Sequence, residues 1–154
     1  MQEDLWEFAL AVYARPGVEG ACLRLQDAGG DVCLVLAALW LDSRDCALDA
    51  QGLERLRAAA SHWQATVVGP LRQLRQAWKA AADEDENLAA LREQLKTLEL
   101  AAEREQLARL ARLAAHWPCR TTNDRRTWLG AVAPQAATTA DLGVLAEAAR
   151  AVRP

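Results

Sequence analysis

Between Leu88 and Trp117 the leucines recur at a spacing that suits only a helix. Leu88, Leu91, Leu95 and Leu98, then Leu107, Leu110 and Leu113, recur three or four residues apart within each run, the spacing of a 3.6-residue turn. Unbroken, this run makes a helix of about 30 residues and about 45 Å. Such a helix needs a partner for its apolar stripe, and the preceding segment supplies one. Leu53, Leu56, Ala60, Trp63 and Val67 form a similar seam, which resumes at Leu71, Leu74 and Trp78. Gly69-Pro70 interrupts it, because proline removes a helix hydrogen bond and crowds the preceding turn, so a kink or break is expected there. Asp83-Glu84-Asp85-Glu86 lies between the two segments. Asp83 with Glu86 has the capping-box arrangement, and the pattern predicts an antiparallel helical hairpin with Asp83 as the cap of its second arm.

Shorter helices precede the hairpin. Asp4 is placed to cap a first one carrying Leu5, Phe8, Ala9 and Val12, which should end at Ala14-Arg15. Pro16 then suits the first turn of a second helix, with Val18, Cys22 and Leu25, that stops at Gly29-Gly30. Asp31 is the expected cap of a third, Val32 to Leu41, apolar on most sides and suited to the middle of a bundle. After Trp117-Pro118 the stretch Cys119 to Arg126 reads as a loop. A last, Ala-rich helix runs from about Thr138 to Val152, N-capped by threonine and loosely held. The fold expected is all-α, with residues 1–118 as a single helical domain and 119–154 loosely attached.

Composition agrees. The chain has no isoleucine, one Phe and one Tyr, while Ala and Leu dominate the apolar set, which suits helices rather than sheets. Six tryptophans supply the bulk that Ala and Leu cannot. At 52% hydrophobic and a net charge of -3, the sequence is not that of a disordered chain. The longest apolar run, Val32–Leu41, is about half of what spans a bilayer. The acidic start, Met1 to Asp4, lacks the basic region of an export leader, so a cytoplasmic protein without a membrane partner is expected. In that compartment Cys22, Cys33, Cys46 and Cys119, which show no C-x-x-C spacing, should be free thiols.

Charge comes in alternating blocks. Residues 1–50 carry nine acids against three bases, 51–82 one against five, 83–105 eight against three, and 106–154 three against seven. Blocks of alternating sign suit helices that lie against each other within one molecule or across a homodimer. With a sequence pI near 5.4, nucleic acid is an unlikely partner.

No pattern carries catalysis. Neither His62 nor His116 has a glutamate three positions before it, as a di-iron bundle requires. There is no nucleophile elbow and no glycine-rich phosphate loop, so neither a cofactor nor a metal is implied, and the chain leans away from an enzyme. Two places are candidates for binding. Arg72, Arg75 and Lys79 line one helical face beside Trp78, a basic surface that either answers an acidic block within the fold or receives an acidic partner protein. The N-terminal helices could instead frame a pocket around Trp6, Tyr13, Arg15, Asp27, Asp31 and Trp40, with Pro16-Gly17 as a rigid corner. The leading reading is therefore a non-enzymatic interaction or adaptor module. A small-molecule-binding bundle comes second, and weak nucleic-acid binding through Arg72, Arg75 and Lys79 third.

Leu5-Trp6-x-Phe8-Ala9-Leu10-x-x-Tyr13-x-Arg15-Pro16-Gly17-Val18-Glu19, followed by Cys22-Leu23-x-Leu25-Gln26-Asp27, Gly30-Asp31-Val32-x-Leu34 and Leu39-Trp40-Leu41, resembles a small proteobacterial family of conserved hypothetical proteins, a domain of unknown function. Trp63, Val67-Val68, Pro70-Leu71-Arg72, Arg75 and Lys79 fit the same resemblance, which spans about residues 4 to 115. It implies a cytosolic bacterial helical domain and brings no mechanism with it.

Overall fold

The computed structural model describes residues 2–119 and 126–152, with side chains from Leu5 onward. The described residues are helical throughout their regular structure. Helices α1 (Gln2–Tyr13), α2 (Val18–Asp27) and α3 (Val32–Ser43) come first. Next is a rod made of α4 (Ala50–Trp63), a π-helical turn (Gln64–Val68), α5 (Gly69–Ala77) and α6 (Lys79–Ala82). The chain reverses and returns as α7 (Glu86–Ala114), then adds α8 (Trp128–Val132) and α9 (Thr139–Ala151). The long leucine run is thus one unbroken helix, and the bundle with its antiparallel hairpin is as the spacing implies.

α3 is the axis of the core. Cys33 through Leu41 are all buried, with α1, α7, α8 and α9 packed around them. Asp31 caps it, its carboxylate accepting from the Leu34 N–H at 3.2 Å. α1 presents Leu5, Ala9 and Val12 inward, and α4 and the upper half of α7 close the other side with Leu56, Ala60, Leu107, Leu110 and Ala111.

Local details depart from the sequence reading where a neighbour decides them. α1 already includes Asp4, so that residue lies within the helix instead of before it. Gly17 takes a left-handed conformation at φ 82°, which breaks the chain after Pro16 and starts α2 at Val18. At the hairpin tip it is Asp85, not Asp83, whose carboxylate accepts from Asn87 and Leu88 N–H at 3.1 Å. Asp83 still belongs to the last turn of the preceding arm, where its N–H donates to the Ala80 carbonyl.

Gly69-Pro70 does not break the rod. Backbone bonding widens there to a π turn, the Gly69 N–H donating to the Gln64 carbonyl five residues back. Pro70 lacks the N–H that a regular turn would use, and the wider turn makes room for its ring. Thr66 Oγ1 donates to the His62 carbonyl at 2.8 Å.

The segment after the hairpin is not loosely attached. Trp128 is 1% exposed, and its indole donates to the Cys46 carbonyl at 2.8 Å while its ring stacks on Trp117 at 5.5 Å. Asp42 at the end of α3 accepts from the Trp128 and Leu129 N–H groups, placing a carboxylate on the N-terminus of α8. α9 is capped by Thr138, buries Leu145 and Ala149, and is tied to α2 by a bidentate Arg24–Asp141 pair. Helices this short are held by such long-range ties. Cys46 and Cys119 are joined as a disulfide across 73 residues, which corrects the expectation of four free thiols, whereas Cys22 and Cys33 are free and buried. Most of the loop expected from Cys119 to Arg126 lies outside the described residues.

Candidate functional site

Arg72 and Arg75 do not form an open basic face. Arg72 donates to Glu99 at 3.1 Å and to Glu103 at 3.0 Å, and Arg75 grips both oxygens of Glu99. All four side chains are largely buried between α5 and α7. The basic block of the first arm is thus answered by the acidic block of the second, inside the hairpin. Burial alone would push Glu99 up, but the Arg75 and Arg72 guanidiniums hold it below the ordinary carboxylate value. Trp78 is half-buried where α5 gives way to α6, and Lys79 is exposed. Of the three cations expected on one open face, Lys79 is the one in solvent.

Of the six residues proposed for an N-terminal pocket, two meet at one cavity and four lie elsewhere. Trp6 and Tyr13 line one half-open cavity of about 380 Å³, enclosed by α1, α2, α3 and α7. Arg15 and Asp27 are exposed at the ends of α1 and α2, and Trp40 is buried on α3 with the Arg44 guanidinium 4.6 Å over its ring. Asp31 lies behind the cavity. Besides capping α3, it accepts from Gln106 at 2.7 Å and from Gln64 at 3.3 Å, and Gln64 also donates to Gln106. The π turn presents Gln64 to this cluster, so the irregular backbone and the buried carboxylate are one arrangement. Burial pushes the Asp31 carboxyl up despite these donors.

The cavity has an apolar floor and an apolar rim. Cys33, Leu36 and Leu107 lie at its base. Around its mouth stand Leu10, Tyr13, Leu23 and Leu100, all 40% exposed or more. Polar groups are few: Gln26 on α2, the Tyr13 hydroxyl and the Glu103 carboxylate. Burial pushes Glu103 up, with Arg72 opposing the shift, and burial also raises Tyr13. Burial pushes the Cys22 thiol up to about 11 and Cys33 well above its usual value, which favours the protonated thiol in both. His62 and His116 are exposed elsewhere. A carboxylate and a phenol at this mouth can hold a ligand through hydrogen bonds. Among the described residues no group of three or more His, Cys, Asp or Glu is placed to hold a metal ion. No helix among them is long and apolar enough to cross a membrane.

Leucines 10, 23 and 100 are unremarkable one by one in the sequence. The signal that could have joined them is an apolar residue on the outward side of three amphipathic helices at once. A family model described as a protein of unknown function, DUF2390, matches residues 4–110. The chain belongs to that family. The matched stretch contains every residue lining the cavity and the hairpin as far as Leu110 of α7, while α8 and α9 lie beyond it. No curated protein and no solved structure matches the chain.

Proposed function

We propose that this protein is a non-enzymatic interaction module acting in the cytoplasm, and that the groove between α1, α2 and α7 receives the apolar face of a helix from a partner protein. One observation carries this reading: Leu10, Tyr13, Leu23 and Leu100, from three different helices, are exposed around the mouth of a single cavity. Exposed apolar side chains gathered in one place mark surfaces that are covered in use. A ligand small enough to fill only the cavity leaves this rim in water, whereas an amphipathic helix laid along the groove covers rim and floor together. On α2, Glu19 and Asp27 stand one turn before and one turn after Leu23, so a partner with basic residues flanking its apolar stripe fits best.

A photoreactive amino acid in place of Leu23 should crosslink in living cells to one protein partner, and the same group at exposed Gln51 should not. A synthetic peptide of the crosslinked segment should then bind, and Leu23→Glu should weaken it by about tenfold or more. Equal crosslinking from both positions, or a peptide indifferent to Leu23→Glu, rejects the proposal.

The depth of the cavity favours a second reading, an apolar small molecule with one polar end directed to Glu103. Its volume lies within the range of small-molecule sites. A bound mass retained in native mass spectra of the protein isolated from its own cells would support it.

A further inference from the structure

The hairpin arm carries a second apolar surface, on the side of α7 away from the groove. Neither α5 nor α6 has a fully buried residue, and α7 alongside them buries Leu95, Glu99 and Ala102. Leu74, Leu91 and Leu98 are each about half exposed. Leu74 and Leu98 flank a shallow groove of about 460 Å³ floored by Val67, Leu71 and Ala102.

The charge around this surface identifies what fits it. At 100° per residue, Leu91, Leu98, Glu105, Arg109 and Arg112 fall within about 60° of one another on α7. One stripe of α7 therefore carries two leucines and ends in a basic base, and the acidic tip lies just before the helix that bears it. The carboxylates of Asp83 to Glu86 are exposed, and no salt bridge among the described residues includes them. At the other end Arg109 and Arg112 share the single carboxylate of Glu105, which leaves positive charge over, and both side chains are about half exposed. Leu98 stands midway, 12 residues after Glu86 and 11 before Arg109.

A stripe that is negative at one end, positive at the other and apolar in the middle complements itself when it is reversed. We propose that the occupant of this surface is a second copy of the chain, laid antiparallel about a two-fold axis near Leu98. Each acidic tip then meets the partner copy's basic base, and the two Leu98 side chains meet at the centre, so one patch serves both subunits. Leu100, Glu103 and Leu107 lie on the opposite side of α7, so pairing of the arms leaves the groove of the proposed function open and neither idea depends on the other.

The test is the mass of the full chain by sedimentation equilibrium, from about 1 to 200 μM. The expected species has twice the 16.8 kDa of the chain. Leu98→Glu should weaken self-association at least about tenfold with an unchanged helical circular dichroism spectrum. Arg112→Glu should also weaken it about tenfold, and adding Glu84→Arg to the same chain should restore it, since the exchanged charges face each other across the axis. A monomer over the whole range, a dimer indifferent to Leu98→Glu, or a charge swap that does not restore pairing overturns the proposal. A protein that stays monomeric and binds a different chain through Leu98 overturns it as well.

Discussion

A β-carbon on Gly69 would stand 2.6 Å from the carbonyl oxygen of Gln64. Gly69 has an ordinary helical φ of -58°, so it is space, not conformational freedom, that requires glycine here. The obstacle is backbone within the π turn, and it cannot swing aside as a side chain could. Gly69→Ala should therefore lower stability by about 1–3 kcal/mol in urea unfolding. Gly143 in α9 has nothing within 4 Å of its absent β-carbon, and Gly143→Ala should raise stability by about 0.5–1 kcal/mol. Equal effects at the two positions would rule out the steric account.

The ion pairs of the hairpin should appear as acid sensitivity. Glu99 titrates below its ordinary value of 4.5 in the fold. A lowered folded value means that its stabilisation is complete above the unfolded value and is lost as pH falls through the folded one. Thermal melts of the natural chain should decline in that acid range, and Glu99→Gln should remove part of the decline. The same variant should melt lower at neutral pH, because Arg75 and Arg72 are left without their buried counter-charge.

Asp31 behaves in the opposite sense. Its folded value is raised by burial, so the protonated form is favoured in the fold and that contribution fades as pH rises through the raised value. Its side chain nonetheless takes the Leu34 N–H and the amides of Gln64 and Gln106. Asp31→Ala should cost about 1–3 kcal/mol near neutral pH through the lost cap and the stranded Gln106 amide. A change within error, measured by chemical denaturation, would show that water replaces the carboxylate.

Reduction should loosen the whole molecule. The Cys46–Cys119 bond closes a 73-residue loop, for which chain entropy sets a stabilisation of up to about 4 kcal/mol. Dithiothreitol, or Cys46→Ser, should lower the melting temperature, and reductant should not lower the variant further. Alkylation of freshly lysed cells reads how much of the pair is joined in place, and a fully joined pair would count against the cytoplasm.

What was legible in the sequence is what neighbours in sequence decide. The leucine spacing specified α7, Gly29-Gly30 specified the end of α2, and Asp31 and Thr138 cap the helices that follow them, because periodicity and capping act within one or two turns. Arg72 and Arg75 were legible as a face, and the alternating charge blocks already held the clue that Glu99 and Glu103 could answer them. Their inward direction depends on how two arms meet, which no spacing states. The five-residue α8 escaped notice because its stability comes from Asp42 and Cys46, more than 80 residues earlier. The choice of Asp85 over Asp83 turned on where the first arm ends. The groove rim escaped for a similar reason, since Leu100 of α7 joins α1 and α2 from 77 residues beyond Leu23.

The disulfide also divides the chain mechanically. α4 to α7, and with them the whole arm, lie inside the loop that Cys46 and Cys119 close. Tension applied at the two ends of the chain passes from Cys46 to Cys119 through sulfur and never reaches the arm. Once the bond is reduced, the same pull gains about 250 Å of extensible chain. An optical tweezer would register that gain as a discrete step, so the thiols act as a clutch deciding which half of the molecule bears load.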